Sequence, residues 1–389
     1  VSKLNSLSYV LNESYPRILE EYSETILDYV SNLNALGFED NVVKTKAEHI
    51  QQIKEWLSVT KAKEFLGEGD ELSEVIMIEK GNHVSFSNCC LPFHLSGIVD
   101  RSDKLVLMDP HEFATKYNID ARVNQEVIKI NPDKKTVEIR KLATGEVYEE
   151  TYDKLALAPG AGAILPKTIK GIDGENVYVV KNVSDIHRLQ SYLVGNDVRD
   201  VAVVGGGFIG LEVCENLIEA GRNVHMIEGT DQVMAPLDID MAQIVHKQMY
   251  DKGVDIKLDE KVVEIRSDKV LLESGRSVKA KAVVMAIGVA PETSLAKSCG
   301  IEIGKTGGIL VNHNYQTNYP DIYAVGDVVE VTNKLTGDKT KLALAGPAQR
   351  EARAAADHMF GKYHNNKGVI GSSCLHLFDL TIANTGLNE

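Results

Sequence analysis

The first 70 residues carry apolar side chains at helical spacing. The stretches YPRILEEYSETILDYVSNLNALGF and KAEHIQQIKEWLSVTKAKEFL repeat apolar positions every three to four residues, with a turn expected near residues 37–41. They contain the single tryptophan, almost no glycine and no evident chemical motif. We therefore predict a helical hairpin over residues 1–70.

From Glu74 onward, short runs of β type alternate with glycine. The stretch EVIMIEKG predicts a strand that ends at Glu79. Residues 122–161 predict a β-meander, with turns at residues 131–133 and 144–145.

The second half of the chain mixes βαβ patterns with further short strands. Strands are predicted in VAVV, in NVHMIE, between residues 254 and 286 and in YPDIYAVGDVVEV, and a helix in AQREARAAADHMFG. This alternation predicts an α/β fold of two doubly wound, Rossmann-like nucleotide-binding domains with β-meanders, besides the N-terminal helical segment.

A glycine loop follows the strand VAVV directly and opens a helix. In the pattern Gly205-x-Gly207-x-x-Gly210, the first glycine permits a tight turn and the second lets the backbone approach a pyrophosphate, while Gly210 lets helix and strand pack closely. The pyrophosphate would lie at the helix N-terminus, which favours anions. Glu228 ends the next strand, 18 residues beyond Gly210, and a carboxylate there favours NADH over NADPH, with NADPH left open.

Composition and charge narrow the class of protein. A chain of 389 residues has room for two or three domains, and its net charge of −14 argues against a general nucleic-acid or anionic-membrane binder. No apolar run reaches the length of a membrane span, and the opening residues are too polar for a signal peptide. Five cysteines, an odd number, do not suggest a secreted disulfide framework, so we expect a reducing cytoplasm. The histidines show no metal-ligand spacing, and no metal is expected.

Three further motifs, together with the glycine loop, resemble those of a known family. They are SFSNCCLPF, AIGVAPE and YPDIYAVGD. In order and spacing they resemble the flavin-dependent pyridine nucleotide–disulfide reductases over about residues 73–389. The nearest branch has a single redox cysteine and contains coenzyme A-disulfide reductases, NADH oxidases and peroxidases.

The resemblance implies a set of site residues. Cys89 matches the redox cysteine, and Asn88 and Ser85 match residues that line the thiol pocket. Asp327 matches the acid on the flavin ribityl chain, Glu79 the acid on the adenosine ribose, and Ala345 a helix start that faces the flavin ring. The full set of cofactor contacts implied for FAD and NADH is Glu79, Lys80, Val127, Gly160, Ala161, Gly205, Gly207, Phe208, Ile209, Gly210, Glu228, Gly288, Gly326, Asp327 and Ala345.

The chain departs from the family pattern at both ends. The family's own first strand–GxGxxG–helix, which holds the ADP half of the flavin, is absent before Glu79, where the helical segment stands instead. FDLTIANTGLNE resembles the start of the family's C-terminal dimerisation domain, so a homodimer is expected of the full fold. We expect four parts: a helical segment 1–70, an incomplete FAD domain 71–180 and 309–368, an NAD domain 181–308, and the start of a dimerisation domain 369–389.

The chemistry implied is reduction of a small disulfide or persulfide, most simply one linked to coenzyme A, through Cys89. Pro92 suits the first turn of a helix, and a thiol at that N-terminus has its pKa lowered, so we expect Cys89 to be ionised near neutral pH. Two alternatives stay open: an NADH oxidase or peroxidase that cycles a cysteine sulfenic acid, and an incomplete fragment that binds NAD without flavin catalysis.

The other cysteines and the nearby histidines invite simpler interpretations. Cys90 stands where relatives carry glycine and is a tolerated small residue or a second sulfur that helps to hold a persulfide. His83 and His94 flank the thiol motif and could assist proton transfer, although a lone histidine is more often structural. The remaining three cysteines are expected to be packing residues.

Overall fold

The computed structural model describes residues 73–362 and 368–387. The helical hairpin predicted over residues 1–70 lies outside them. The first strands are β1 (Val75–Ile78), β2 (Ser85–Phe86), β3 (Val106–Met108), β4 (Ile119–Arg122), β5 (Gln125–Asn131), β6 (Thr136–Lys141), β7 (Val147–Thr151), β8 (Leu155–Leu157) and β9 (Ala161–Ala163). Helices α1 (Phe93–Ser96) and α2 (Pro110–Tyr117) lie among them, and a 3-10 turn covers Asn88–Cys90.

The middle of the chain carries the second group of elements. Its strands are β10 (Val177–Tyr178), β11 (Asp200–Val204), β12 (Asn223–Ile227), β13 (Asp255–Lys257), β14 (Val262–Ile265), β15 (Lys269–Leu272), β16 (Ser277–Lys279), β17 (Ala282–Met285) and β18 (Val289–Pro291). Its helices are α3 (Val183–Gly195), α4 (Phe208–Glu219), α5 (Ile239–Asp251) and α6 (Ser294–Ser298).

The last group completes the described chain. It contains β19 (Ile322–Ala324), β20 (Val331–Thr332), β21 (Lys339–Thr340), α7 (Ala345–Met359), β22 (Ser373–Leu377) and β23 (Leu380–Asn384). No helix in the described ranges combines the length and the apolar character that a bilayer crossing requires.

The second group forms a five-stranded parallel sheet in the order β10-β17-β11-β12-β13. Its central strand β11 is a continuous apolar run because both faces are covered, and Val201, Ala202 and Val203 are fully buried. Val201 and Val203 share one core with α3 and α4, while Ala202 shares another with the meander β14-β15-β16. The strand–loop–helix prediction for this domain is confirmed.

The first domain also combines parallel strands with a meander, but its parallel strands do not form one continuous sheet. Its meander β5-β6-β7 corresponds to β14-β15-β16, and its turns lie where the sequence predicts them. Its parallel strands form two separate pairs, β1 with β4 and β8 with β19. In the second domain the glycine-loop strand β11 lies between β12 and β17, which correspond to β1 and β8 of the first domain. Among the described residues no strand joins β1 to β8.

Three connections join the parts of the molecule. The antiparallel pair β9–β18 links the two domains beside Gly160 and Gly288. The short strand β10 pairs with β17 of the second sheet, although it precedes the expected boundary at residue 180. The hairpin β22–β23 packs on α4 and contributes Leu375 and Leu377 to the main core. The α/β class with two Rossmann-like domains is therefore confirmed for the described residues.

Candidate active site

The glycine loop between β11 and α4 has the geometry of an anion cradle. Gly205 has a positive φ of 108°, and a Cβ there would overlap the carbonyl oxygen of Ala286. A Cβ on Gly210 would overlap the carbonyl oxygen of Gly205, which explains the close helix–strand packing. Gly207 caps α4 and has open space where a Cβ would be. These observations fit a dinucleotide pyrophosphate at the N-terminus of α4.

Glu228 lies at the end of β12, as predicted, and holds the glycine loop. One carboxylate oxygen accepts a 2.6 Å hydrogen bond from the Gly206 amide, and the other accepts bonds of 3.0 Å from both the amide and the hydroxyl of Thr230. Phe208 and Ile209 begin α4, and the side chain of Ile209 is exposed. A contact between Glu228 and a ribose stays a prediction.

The cysteine pair occupies the 3-10 turn between β2 and α1. Cys89 is half-buried, Cys90 is buried, and all five cysteines are free thiols. The expected low pKa of Cys89 is wrong: burial, the Glu212 carboxyl and Cys90 raise the pKa of Cys89 to about 11. The helix α1 begins only at Phe93, four residues beyond Cys89, and has a single turn. Its dipole therefore acts weakly on the thiol, and desolvation prevails.

Cys90 is a buried neighbour with a different role in packing. It belongs to the main core together with Leu91 and Leu95. Burial raises the pKa of its thiol, although the Ser87 hydroxyl lowers it in part. The prediction of a small residue that packs in the core agrees with this burial. Cys214 is likewise fully buried in the core, and Cys299 and Cys374 are half-buried.

The polar residues predicted around the thiol lie on the same segment. Ser85 is in β2, and Asn88 is exposed at the start of the 3-10 turn. His94 is buried in α1, and its Nδ1 is 2.7 Å from the carbonyl oxygen of Val99, so the ring serves to hold the end of this helix. His83 is half-buried in the loop before β2.

The residues expected to meet the adenosine half of FAD lie around the end of β1. Glu79 follows β1 directly, and one carboxylate oxygen accepts a 2.6 Å hydrogen bond from the Gly81 amide. Lys80 is exposed and forms a 2.7 Å ion pair with Glu126. Val127 lies half-buried on β5 and packs against the core of this domain.

A second group of expected flavin contacts lies at the junction of the domains. Burial raises the pKa of Asp327, which follows β19 in a 3-10 turn, and Lys181 partly offsets this rise. Gly326, Gly160 and Gly288 have φ of 80°, 70° and 120°. Ala161 is buried in β9, and Ala345 is the first residue of α7, as the sequence predicts.

The two cofactors that the resemblance implies fit this structure to different degrees. The loop at Gly205–Gly210 with Glu228 offers the complete cradle for a nicotinamide dinucleotide. For FAD, Glu79 and Asp327 offer partners for the ribose and the ribityl chain. However, among the described residues the first domain has no strand with a glycine loop that would lie between β1 and β8 in its sheet.

The sequence reasoning missed several polar residues that the tertiary structure brings to these sites. On α4, Asn216 accepts a hydrogen bond from Ser96 of α1, Glu215 accepts one from the Phe378 amide of the C-terminal hairpin, and the charge of Glu212 adds to the effect of burial in raising the pKa of Cys89. Glu351 of α7 is buried and accepts a 2.7 Å hydrogen bond from the Gly326 amide. One signal was present: polar residues interrupt an otherwise apolar helix in LEVCENL.

Known proteins are similar to this chain in sequence and in fold. Residues 60–352 match the model of the family described as pyridine nucleotide-disulphide oxidoreductase. A coenzyme A disulfide reductase from Staphylococcus epidermidis is 30% identical over 319 residues, which are 82% of this chain and 72% of that protein.

Two solved structures are similar as well. The reduced CoADR-RHD of Bacillus anthracis has a TM-score of 0.80 and 41% identity, and the alignment covers 82% of this chain. A NAD-dependent persulfide reductase from A. fulgidus has a TM-score of 0.80 and 31% identity, with 84% of this chain covered. The chain spans 58% and 61% of the lengths of these two proteins.

Proposed function

Because the chain belongs to the pyridine nucleotide–disulphide oxidoreductase family, we propose that it reduces a small disulfide or persulfide with NADH through the single thiol of Cys89. FAD and NAD(P)H are the cofactors of such relatives. The substrate class is the one that two of the similar proteins carry in their names, coenzyme A disulfide and persulfide.

One observation carries the proposal: a half-buried free thiol lies just before a helix that packs on α4, the helix whose first residues form the dinucleotide cradle. The helix α1, which begins four residues after Cys89, packs directly on α4, and Ser96 of α1 donates a 2.7 Å hydrogen bond to Asn216 of α4. The thiol and the glycine loop therefore hold a fixed relation to each other.

The chain's own residues have distinct tasks in this reaction. The amides at the start of α4 bind the pyrophosphate, and Glu228 keeps the loop in shape. Cys89, once ionised, attacks a substrate sulfur, forms a mixed disulfide and releases the first thiol. Glu79 and Asp327 would hold FAD, which when bound would supply the redox chemistry that links NADH oxidation to reduction of the mixed disulfide. Neither C-x-x-C nor C-x4-C spacing exists in the chain, so a single-cysteine route is the consistent one.

The first test is NADH consumption that depends on coenzyme A disulfide or polysulfide. Turnover is expected in the parent protein and absent in Cys89→Ser, whereas Cys90→Ala should retain it. Turnover with oxygen or peroxide alone would overturn the disulfide reductase in favour of the NADH oxidase or peroxidase.

The binding of NAD without flavin is a second candidate, because no second glycine loop lies among the described residues of the first sheet. The absorption spectrum of the purified protein separates the two. A yellow protein that releases FAD on denaturation supports the reductase, and a colourless protein that FAD cannot restore supports the NAD-binding fragment.

The proposal extends to location and assembly. Five free thiols suit a reducing compartment, and we propose a cytoplasmic protein. A homodimer is proposed on the family resemblance of the hairpin β22–β23. Light scattering of the purified chain tests the assembly directly.

A further inference from the structure

The buried carboxyl of Glu351 holds the turn that carries Asp327. The pairing of β19 with β8 closes with a 3.1 Å hydrogen bond from the Val325 amide to the Leu157 carbonyl. The chain then turns at Gly326, which has a φ of 80°. The Gly326 amide lies beyond the strand pairing, and it donates instead to a side-chain oxygen of Glu351 at 2.7 Å.

Helix α7 brings Glu351 to this turn. The helix packs on the 3-10 turn Gly326–Val328, and a Cβ on Gly326 would lie 3.8 Å from the Cβ of Ala348. Only 3% of Glu351 is exposed, and no ion pair among the described residues includes it. A buried carboxyl without a cation is costly, so its hydrogen bond to the turn partly offsets the burial.

The carboxyl of Asp327 comes directly after the held amide and faces no donor of this chain. It is half-buried, and within the described residues it takes part in no hydrogen bond. The family resemblance places the ribityl hydroxyls of FAD at this residue, and hydroxyl groups can donate to a carboxylate. The backbone at Gly326 sets the direction in which the Asp327 side chain leaves the turn, so a group that fixes the Gly326 amide also fixes that carboxyl.

We propose that Glu351 is a positioning residue for the flavin site: its carboxyl holds the Gly326 amide and so fixes the turn that presents Asp327 to the ribityl chain. The inference rests on the proposed function for its catalytic meaning, since FAD would be held there. The contact itself depends neither on a bound cofactor nor on turnover.

Ionisation of Glu351 gives this contact a signature that packing alone would not give. Burial and the Asp327 carboxyl raise the pKa of Glu351 to about 7, and the exposed Arg350 offsets this rise only in part. Above and below that pH the Gly326 amide therefore donates to a carboxylate and to a neutral carboxyl, respectively. A charged acceptor forms the stronger hydrogen bond, so the amide proton should report the change.

The other ionisable groups around α7 have different places. Lys181 acts on Asp327 and lowers its pKa against the effect of burial. Tyr315 and Tyr323 pack on α7, and the Tyr323 hydroxyl is 2.8 Å from Nδ1 of His358, two turns further along the helix than Glu351. Histidines ordinarily titrate near neutral pH, so a substitution of the glutamate itself is needed to assign the midpoint.

The test is the pH dependence of the Gly326 amide signal in the whole chain. The sequence contains three Val–Gly steps, at residues 194–195, 204–205 and 325–326, so carbonyl-labelled valine with nitrogen-labelled glycine selects three amide signals in the NMR spectrum. In the parent, the Gly326 signal should shift between pH 6 and 8.5 with a midpoint of about 7. In Glu351→Gln, which keeps an acceptor oxygen but cannot ionise, the shift should be absent.

The labelled sample carries its own references. Val325→Ala assigns the signal, because it removes the labelled carbonyl that precedes Gly326. Gly195 ends α3, and the Gly205 amide donates to a backbone carbonyl of β12 at 2.8 Å. Neither of these two signals should differ between the parent and Glu351→Gln.

Glu175→Gln is the matched control, because Glu175 is exposed and lies outside both α7 and the turn. It should keep the parental profile of the Gly326 signal. A Gly326 signal that does not titrate in the parent would overturn the proposal. A signal that still titrates in Glu351→Gln would also overturn it, since another group would then be responsible.

FAD affinity tests the consequence for the site. Glu351→Met removes the acceptor at similar volume, so the dissociation constant of FAD, measured by quenching of flavin fluorescence, should rise roughly tenfold, as for the loss of one hydrogen bond. Glu351→Gln should keep the parental affinity near pH 6. Parental affinity in a Glu351→Met variant that circular dichroism shows to be folded would overturn the role in the flavin site.

The two measurements separate this inference from the proposed function. A parent chain that binds no FAD overturns the proposed reductase, and the amide titration alone then confirms or refutes that Glu351 holds the turn. If Glu351→Met does not fold, the comparison of the parent with Glu351→Gln still decides the contact.

Discussion

Ser96 and Asn216 lie 120 residues apart in the chain, and the Ser96 hydroxyl donates a 2.7 Å hydrogen bond to the Asn216 side-chain oxygen. This bond ties the helix that follows the thiols to the helix that begins at the glycine loop. Asn216 is fully buried, and its amide nitrogen donates to the backbone of Glu212. The polar contact therefore fixes the position of one site against the other.

Asn216→Ala should destabilise the fold through this contact. The change removes the acceptor for Ser96 and leaves a small cavity, so the free energy of unfolding should fall by about 2–4 kcal/mol. Ser96→Ala removes one partly buried donor and should cost about 1 kcal/mol. Urea unfolding of the two variants checks both values. Equal losses of unfolding free energy in the two variants would contradict the inference that Asn216 contributes more to stability than Ser96.

Two substitutions in the glycine loop should separate folding from binding. Gly210→Ala places a methyl group against the carbonyl oxygen of Gly205, so the free energy of unfolding should fall by about 1–3 kcal/mol, as for an overpacked core, and the thermal midpoint should fall with it. Gly207→Ala meets no protein atom, so its midpoint should match the parent. Its methyl group would nevertheless occupy the space of the pyrophosphate, and NADH binding measured by calorimetry should weaken at least tenfold. A Gly207→Ala variant with parental NADH affinity would show that the dinucleotide lies elsewhere.

His246 should make the fold less stable in mild acid. Burial lowers the pKa of His246, whose Nε2 accepts a 3.1 Å hydrogen bond from the Val233 amide. The unfolded chain binds the proton more readily, so the stability from this group is present above the ordinary histidine pKa of about 6.5 and is lost as the pH falls. His246→Gln should flatten this part of the pH profile in urea unfolding between pH 5 and 7.5. The exposed His111→Gln serves as control and should leave the slope unchanged.

The contribution of Glu351 to stability should depend on pH in the opposite direction. Burial and the nearby Asp327 raise the pKa of Glu351 to about 7. A raised pKa in the folded state means that stability is fully present below about pH 4.5 and is lost as the pH rises through 7. Glu351→Gln keeps an acceptor for the Gly326 amide and removes the charge, so it should gain up to about 3 kcal/mol at pH 8 and nothing at pH 4.5. The exposed Glu175→Gln should gain nothing at either pH, and an equal gain at both would refute the assignment to ionisation.

The local elements of this protein follow from short stretches of sequence. The run VAVVGGGFIG specifies a buried strand, a tight turn and a helix because each step depends on neighbours within a few residues: no Cβ fits at Gly205 or Gly210. The meander with its two turns was predictable for the same reason, whereas the helix start at Ala345 was implied by the family resemblance.

The electrostatics of the site depended on the tertiary structure. The sequence suggested a low pKa for Cys89 from Pro92 and the helix that follows, but the short helix and the burial reversed the sign. Glu212, whose charge adds to the effect of burial on the pKa of Cys89, is 123 positions further along the chain, on a helix that packs against α1. A contact between segments so far apart in the chain produces no local sequence pattern, so it could not be predicted from the sequence.

The sequence thus determined which residues form the strand, the tight turn and the helix of the glycine loop, since steric limits and short-range periodicity act along the chain. Only the tertiary structure decided that His94 supports a helix end, that the parallel strands of the first domain form two pairs, and that a carboxyl opposes the ionisation of Cys89. These features follow from desolvation and from charges brought together by packing, and both exist only once the chain has folded.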